Sequence, residues 1–186
     1  MAEKMNLIKT IMDGMDYNLN EIEKHLPPDL NGMWDPSAMQ RIFSGFWHKA
    51  YDAQQNGDPI AWINFGIPTE LFYAMDILPI PVDHISANAS VFGQTYKYND
   101  LAKTKIADYL CSNNTLLLGA LLAGDIDPPA IMVHPANPCD SNLATYPTYS
   151  KYFDYPYFMI DMPYITTEKS IDYVANEYKK LIVLLE

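Results

Sequence analysis

The chain has two cysteines, Cys111 and Cys139, and each immediately precedes a segment with the pattern of a helix. We predict those helices at residues 114–123 and 141–153. A helix N-terminus stabilises a thiolate, and a thiolate is both a nucleophile and a metal ligand. We expect both thiols to stand at the ends of β-strands, on the edge of a parallel sheet where ligands bind.

Two interpretations of the cysteines remain open from the residues alone. A cytoplasmic chain keeps its thiols reduced, so we do not expect a structural disulfide. Free cysteine commonly packs as a small buried hydrophobe. The long separation of Cys111 and Cys139 matches no zinc-finger or Cys-x-x-Cys spacing, so their position in the fold has to decide between packing and metal binding.

The segment at residues 66–70, Gly-Ile-Pro-Thr-Glu, directly follows a predicted strand. Gly66 permits close backbone approach, and Pro68 presets the first turn of a helix whose N–H groups point outward. Glu70 would then be the third helical residue, where its carboxylate caps the helix or favours the helix dipole. We favour capping over a role for Glu70 in proton transfer.

A loop at residues 134–140 follows another predicted strand and delivers Cys139. His134, at the start of this loop, is a candidate metal ligand or proton donor. A lone histidine at the end of a strand is more often hydrogen-bonded and structural, so His134 is a secondary candidate.

The elements that must position these residues fall into two parts. Residues 1–58 form a helical lead-in, because five apolar residues follow the spacing of one helix face: Leu7, Ile8, Ile11, Met12 and Met15. Pro27, Pro28, Asn31 and Gly32 should break this run. Asp35 before Pro36 predicts the N-cap of a second helix that ends near Gln55.

Residues 59–186 alternate short apolar runs with helical patterns, which predicts a Rossmann-like or flavodoxin-like α/β domain. We expect a doubly wound, mostly parallel sheet with helices on both faces. The predicted strands lie at residues 60–65, 78–82, 130–134 and 157–160. The predicted helices lie at residues 68–75, 101–109, 114–123, 141–153 and 167–185.

The charge of the chain limits its partners. A net charge of −11, with a single arginine, gives no clustered basic face for nucleic acid. An anionic ligand would depend on helix N-termini and on the small cluster Lys97, Lys103 and Lys105. No apolar stretch is long enough for a membrane helix and no signal peptide is evident, so we expect a cytoplasmic protein.

Four motifs occur in order along the second part of the chain. The first, at residues 66–80, begins with Gly-x-Pro-x-Glu-Leu and ends with Leu-Pro-Ile. The others are Leu110-Cys111-Ser112, Cys139-Asp140, and Pro-Tyr-Phe-Met-Ile-Asp-Met-Pro at 156–163. In this order they resemble the 2-hydroxyacyl-CoA dehydratase and benzoyl-CoA reductase family, of the D-component type, over roughly residues 60–186.

The resemblance implies a [4Fe-4S] cluster beside an acyl-CoA substrate, with Cys111 and Cys139 as ligands. It implies radical elimination of water from a 2-hydroxyacyl-CoA, or electron delivery to an aromatic ring in the reductase branch. The partners would be a homologous subunit and an ATP-dependent iron–sulfur activator protein that supplies single electrons. The pocket for substrate or cluster would include Gly66, Ile67, Pro68, Glu70, Ser112, Asn137 and Asp140.

Two features depart from the family pattern. Family subunits are longer and supply a third cysteine from a second, similar domain, whereas this chain has two cysteines. Where many members carry a basic residue after the first cysteine, this chain has Asn113 and Asn114. We therefore expect the chain to be an amino-terminal half, completed by a second domain or another chain. A scaffold or inactive remnant, with buried cysteines, is the alternative.

Overall fold

A computed structural model of the chain describes residues 5–27 and 35–186. Within those ranges it contains eight helices and four strands. In chain order they are α1 (Leu7–His25), α2 (Pro36–Asn56), β1 (Ile60–Ile63), α3 (Glu70–Tyr73), β2 (Leu78–Pro81), α4 (Val82–Val91), α5 (Thr95–Ala102), α6 (Ser112–Ala123), β3 (Ile131–Pro135), α7 (Asp140–Phe153), β4 (Tyr157–Ile160) and α8 (Glu168–Leu185).

The four strands form one parallel sheet in the order β2-β1-β3-β4. Trp62 at the centre of β1 pairs with Ile80 of β2 on one side and Met132 of β3 on the other. The strand order reverses direction between β1 and β3, and the carboxyl ends of strands flanking such a point are where doubly wound sheets bind ligands. All four predicted strands are confirmed to within two residues at each end.

Side chains alternate between the two faces of the sheet, and each face has its own core. Trp62 and Met132 enter a large core with residues of α1, α2, α4, α5, α6 and α7. Ile63 and Val133 enter a smaller core with α3 and α8 on the opposite face. This arrangement confirms the predicted α/β class, with a mostly parallel sheet covered by helices on both faces.

The helical lead-in forms as the pattern predicts. The five apolar residues assigned to one face of α1 are all buried. Asp35 caps α2 by accepting a hydrogen bond of 2.8 Å from the backbone of Ser37, and Pro36 is the first helical residue. The predicted break at Pro28, Asn31 and Gly32 lies outside the described residues. Helix α1 shares the large core with the sheet. The predicted boundary at residue 58 between the helical lead-in and the α/β domain stays a prediction.

Two helices that contribute to the large core differ from the sequence prediction. The prediction of a helix at residues 101–109 is wrong, because α5 spans Thr95–Ala102 and turns follow it. The hydroxyl of Thr104 donates a 2.7 Å hydrogen bond to the carbonyl of Leu101 and so takes an acceptor from the end of the helix. Helix α4 was missed because Val82, assigned to a strand, instead begins a helix after Pro81.

Helices α5 and α6 approach each other very closely at Gly119. A β-carbon built on Gly119 would lie 1.9 Å from the backbone oxygen of Tyr98 in α5. Only a residue without a side chain fits between these helices. This contact fixes α6, the helix that follows Cys111.

In the ranges 5–27 and 35–186, no helix combines the length and the apolar character needed to cross a membrane.

Candidate functional site

Both cysteines are N-cap residues of helices. Cys111 precedes α6 and Cys139 precedes α7, and neither side chain makes a capping hydrogen bond. Cys111 is exposed, Cys139 is half-buried, and both are free thiols. Each thiol therefore lies at the positive end of a helix dipole without being used to close that helix. This position suits a thiolate that binds a metal.

The expectation that both thiols stand at strand ends is wrong for Cys111. Cys139 does follow β3, separated from it by residues 136–138. Cys111 follows the turns at residues 103–110, which connect α5 to α6. Because α5 and α6 pack directly on each other, a turn-rich connection is enough and no strand intervenes.

A chain of buried asparagines connects the two helix N-termini. Asn114 Nδ2 donates a hydrogen bond of 2.8 Å to Asn142 Oδ1. Asn142 Nδ2 in turn donates a hydrogen bond of 2.7 Å to Oδ1 of Asn64, the residue that follows β1. Asn114 and Asn142 are each the third residue of their helix, counted from Cys111 and Cys139. The side chains therefore join the first turns of α6 and α7 to the carboxyl edge of the sheet.

Asp83 extends this network to a third helix. One carboxylate oxygen of Asp83, in the first turn of α4, accepts a hydrogen bond of 3.2 Å from Asn64 Nδ2. The other oxygen accepts a hydrogen bond of 3.1 Å from Asn113 Nδ2. Tyr149 donates its hydroxyl hydrogen bond to the backbone carbonyl of Asn114. Hydrogen-bonded polar side chains thus lie at the carboxyl ends of the strands around the switch point. They come from Asn64, which follows β1, and from α4, α6 and α7.

Sequence reasoning missed the role of these amides, although a signal was present. Each cysteine is followed three positions later by asparagine, in Cys111-Ser-Asn-Asn114 and Cys139-Asp-Ser-Asn142. The third helical position is where a side chain points back towards the N-terminus, so the repeated spacing indicates a shared task.

The segment at residues 66–70 lies at the end of β1, where it was predicted, but its helix starts later than predicted. Helix α3 has Thr69 as its N-cap, so Glu70 is the first helical residue and not the third. The amide of Ile67 turns back to donate to Asn64, and the buried Ile67 side chain holds this turn outside the helix. The predicted capping position of Glu70 is therefore wrong, whereas its place in the first turn of α3 agrees with the other alternative, a carboxylate that favours the helix dipole. Glu70 and Gly66, which has φ of 88°, are exposed, and Pro68 is half-buried.

His134 lies inside the core and has no exposed surface. Its ring faces Tyr146 at a centroid distance of 4.4 Å, and Nδ1 lies 3.2 Å from the carbonyl of Pro135. Burial lowers the pKa of His134 to about 4, so the ring is neutral at physiological pH. This position agrees with the structural interpretation of His134, whose ring is buried whereas Cys111 is exposed.

The remaining pocket residues flank the two thiols. Ser112 and Asp140 are the first residues of α6 and α7, and both are exposed. Asn137 is half-buried and donates its side-chain N–H to the carbonyl of Met162, which ties the loop before Cys139 to the loop after β4. A cavity of about 250 Å³ adjoins Cys111, with Leu110 and Ser112 in its wall.

The three lysines of the predicted anion cluster already have partners in the chain: Lys97 contacts Asp125, Lys103 contacts Asp100, and Lys105 lies over the ring of Tyr152. An anionic group would compete with the two carboxylates for these cations. Backbone N–H groups at helix N-termini are therefore the better anion contacts near the thiols.

Each thiol has the chemistry that a ligand of an iron–sulfur cluster requires. Both are free of disulfide and of capping bonds, and thiolates are the ligands that such clusters require. Across the described ranges, no group of three or more His, Cys, Asp or Glu side chains is placed to hold a metal ion. Cys111 and Cys139 would therefore need further ligands from elsewhere.

Comparison with known proteins covers the same part of the chain. A sequence profile of the family described as "2-hydroxyglutaryl-CoA dehydratase, D-component" matches residues 64–186. The alpha subunit of (R)-2-hydroxyisocaproyl-CoA dehydratase from Clostridioides difficile is 24% identical over 147 residues, which cover 74% of this chain. The match spans about a third, 36%, of the length of that relative. With the profile covering β2 to β4, both thiols and the asparagine chain, the protein belongs to the 2-hydroxyglutaryl-CoA dehydratase D-component family.

Proposed function

We propose that this chain is part of a 2-hydroxyacyl-CoA dehydratase subunit and supplies two ligands, Cys111 and Cys139, to a [4Fe-4S] cluster. The observation that carries the proposal is the common position of the thiols. Each is the N-cap of a helix and has no capping bond, and buried side chains join the two helices. Membership in the dehydratase family supports the same assignment.

The residues of this chain would hold the cluster and orient the acyl-CoA substrate. Cys111 and Cys139, at the N-termini of α6 and α7, would bind iron through their sulfur atoms, and thiolates are the form that binds iron. When bound, the cluster supplies single-electron chemistry for the elimination of water from a 2-hydroxyacyl-CoA. Gly66, Ser112 and Asp140 are exposed, and we expect them to contact the thioester of the substrate.

The proposal includes partners, because two thiolates are an incomplete ligand set. We expect a homologous subunit or a second domain to provide the remaining ligands, and an ATP-dependent iron–sulfur activator protein to deliver electrons. A cluster of this kind is sensitive to oxygen, so the working compartment would be an anaerobic cytoplasm. The acidic surface of the chain, with a net charge of −11, is not suited to binding nucleic acid.

The proposal is tested by measuring iron and acid-labile sulfide in protein purified without oxygen, alone and co-expressed with a homologous dehydratase subunit. Cys111→Ala and Cys139→Ala should each lower bound iron by more than about tenfold, because each removes a ligand. The control is Thr167→Ala, which removes the N-cap of α8 and leaves both thiols in place. Stoichiometric iron with a broad visible absorption is the expected result for the wild-type chain and the control when each is co-expressed with the homologous subunit.

A colourless, iron-free protein in both preparations would contradict the proposal. The same would follow if iron were bound equally well after both cysteine substitutions. The chain would then be a scaffold, although the alternative with two buried cysteines is wrong for Cys111, which is exposed. Cys139→Ala, at the half-buried thiol, would lower the free energy of unfolding by about 1 to 2 kcal/mol, and Cys111→Ala would change it by less than about 0.5 kcal/mol.

A further inference from the structure

We propose that Asn142 and Asn114 are positioning residues that set the separation and orientation of the two thiols. The hydrogen bond between their side chains connects the first turns of α6 and α7. The geometric claim stands without a bound metal, and its consequence for iron binding rests on the proposed function.

An unbroken path of hydrogen bonds runs from one cysteine backbone to the other. The amide N–H of Asn114 donates to the carbonyl of Cys111 at 3.0 Å, and the amide N–H of Asn142 donates to the carbonyl of Cys139 at 3.1 Å. Between them lies the side-chain hydrogen bond of 2.8 Å. A movement of either thiol-bearing turn relative to the other therefore has to stretch or break one of these three bonds.

Asn142 is held so that its amide can point in only one way. Its side chain is fully buried, its oxygen accepts from Asn114, and its nitrogen donates to Asn64. Asn64 is itself fixed to the sheet, because its backbone N–H donates to the carbonyl of Val133 at 3.0 Å. A flipped Asn142 amide would place donor against donor and acceptor against acceptor. The sheet thus orients Asn142, and Asn142 orients Asn114.

Burial makes this link stiff. Asn64, Asn114 and Asn142 are each exposed by no more than 6% of their surface, so water has little access to replace a broken bond. A buried amide left without its partner loses the compensation for its desolvation. The first turns of α6 and α7 therefore keep their relative position as long as the hydrogen bonds between these asparagines are intact.

A purely structural role and a positioning role predict different results. If the asparagines only stabilise the fold, their loss lowers stability and leaves the distance between the thiols unchanged in the molecules that remain folded. If they position the thiols, that distance changes or spreads while the helices and the sheet stay intact.

The chain offers a direct measurement, because Cys111 and Cys139 are its only cysteines. A methanethiosulfonate spin label on each thiol reports the distance distribution between them by electron paramagnetic resonance, without any added substitution. We expect one narrow distribution in the wild-type chain. In Asn142→Leu and Asn114→Ala the distribution should broaden by about twofold or more, because the supporting contacts of both thiols are lost.

The matched control is Asn99→Leu. Asn99 accepts a hydrogen bond of 2.7 Å from the hydroxyl of Thr115, which attaches α6 to α5 without taking part in the asparagine path. This variant removes one polar contact from the same helix, and its distance distribution should stay narrow. Circular dichroism confirms that each variant is folded before the distances are compared.

The proposal is overturned if Asn142→Leu and Asn114→Ala fold and keep the wild-type width, or if the wild-type distribution is already as broad as theirs. Should Asn142→Leu fail to fold, Asn114→Ala decides, because it removes the other end of the same bond. Iron content separates this inference from the proposed function. A wild-type chain that is iron-free both alone and co-expressed with a homologous subunit, but has a narrow distribution, contradicts only the function, whereas an iron-binding chain insensitive to the asparagines contradicts only the positioning. If both hold, iron affinity falls by about tenfold in the two variants.

Discussion

Replacing Gly119 with alanine is expected to lower the free energy of unfolding by about 3 kcal/mol or more, because the new methyl group has no space. It would lie 1.9 Å from the backbone oxygen of Tyr98 and 2.4 Å from its carbonyl carbon. A flexible side chain could move aside, but these are backbone atoms of α5, so the two helices have to separate. The separation would open the core around Ala102 and Tyr98, which are both fully buried.

The matched control is Gly45→Ala in α2. A β-carbon at Gly45 has no atom within 4 Å, so alanine there gains only its better helix propensity. We expect the free energy of unfolding to rise by about 0.5 to 1 kcal/mol in this variant. Urea denaturation of the wild-type chain and the two variants measures the difference. Equal effects of the two substitutions would show that α5 and α6 are not in close contact at Gly119.

The same substitution should also disturb the thiol site. Helix α6 begins directly after Cys111, so a shift of α6 away from α5 moves this thiol relative to Cys139. The asparagine link resists that shift at the first turn of α6. The close contact at Gly119 and the link at Asn114 thus constrain α6 at two places along its length.

Elements with a clear apolar pattern or with characteristic boundary residues could be predicted from the sequence. The strands were located because β1 and β3 are short apolar runs bounded by Pro, Gly or Asp, and both are buried in the centre of the sheet. Helix α2 has a proline at its first position, Asp35 as its N-cap and Gly57 at its end, so both boundaries were readable. Local chemistry was sufficient in these cases.

Helices α4 and α5 were missed or displaced because tertiary contacts determine them. Helix α4 has a weak apolar stripe, and its start at Val82 continues directly from a strand. Helix α5 buries only Tyr98 and Ala102, and its position depends on the space that Gly119 leaves in α6. A contact between a glycine and a distant backbone carbonyl leaves no periodic signal in the sequence.

The position of both thiols at helix N-termini could be predicted from the sequence, whereas the asparagines that join these helices could not. Cys111 and Cys139 stood out because a helix pattern follows each of them. Asn64, Asn114 and Asn142 come from three separate segments, so no spacing rule brings them together. Asparagine is also common in turns, so its presence near a helix or strand end does not by itself indicate such a contact. Their association depends on the order of β1 and β3 in the sheet, which only the fold provides.

His134 gives the second large expected effect, a loss of stability in mild acid. Its ring has no exposed surface and packs on Tyr146 and Tyr157, at centroid distances of 4.4 and 6.1 Å. With Nδ1–H donating to the carbonyl of Pro135, Nε2 is left without a hydrogen-bond partner. Protonation would add a positive charge in a site that offers Nε2 no acceptor, which is why burial lowers the pKa of His134 to about 4 from 6.5.

The direction of the pH effect follows from that difference in pKa. The unfolded chain takes up a proton at His134 near pH 6.5, whereas the folded chain resists it until about pH 4. Between these values the unfolded state binds more protons, so the free energy of unfolding falls as the pH falls. The loss of stability is close to zero well above pH 6.5 and reaches about 3 kcal/mol by pH 4.

Removing the titrating group should remove this loss. In His134→Met the free energy of unfolding, measured by urea denaturation at several pH values, is expected to vary less between pH 6.5 and 4 than in the wild-type chain, by about 3 kcal/mol. His84→Gln is the control, because His84 is exposed and its loss should leave the profile unchanged. If both variants keep the wild-type profile, His134 does not carry the acid sensitivity. Because His134 lies in β3 just before the loop to Cys139, acid unfolding through this histidine would release one of the two thiol-bearing turns along with the core.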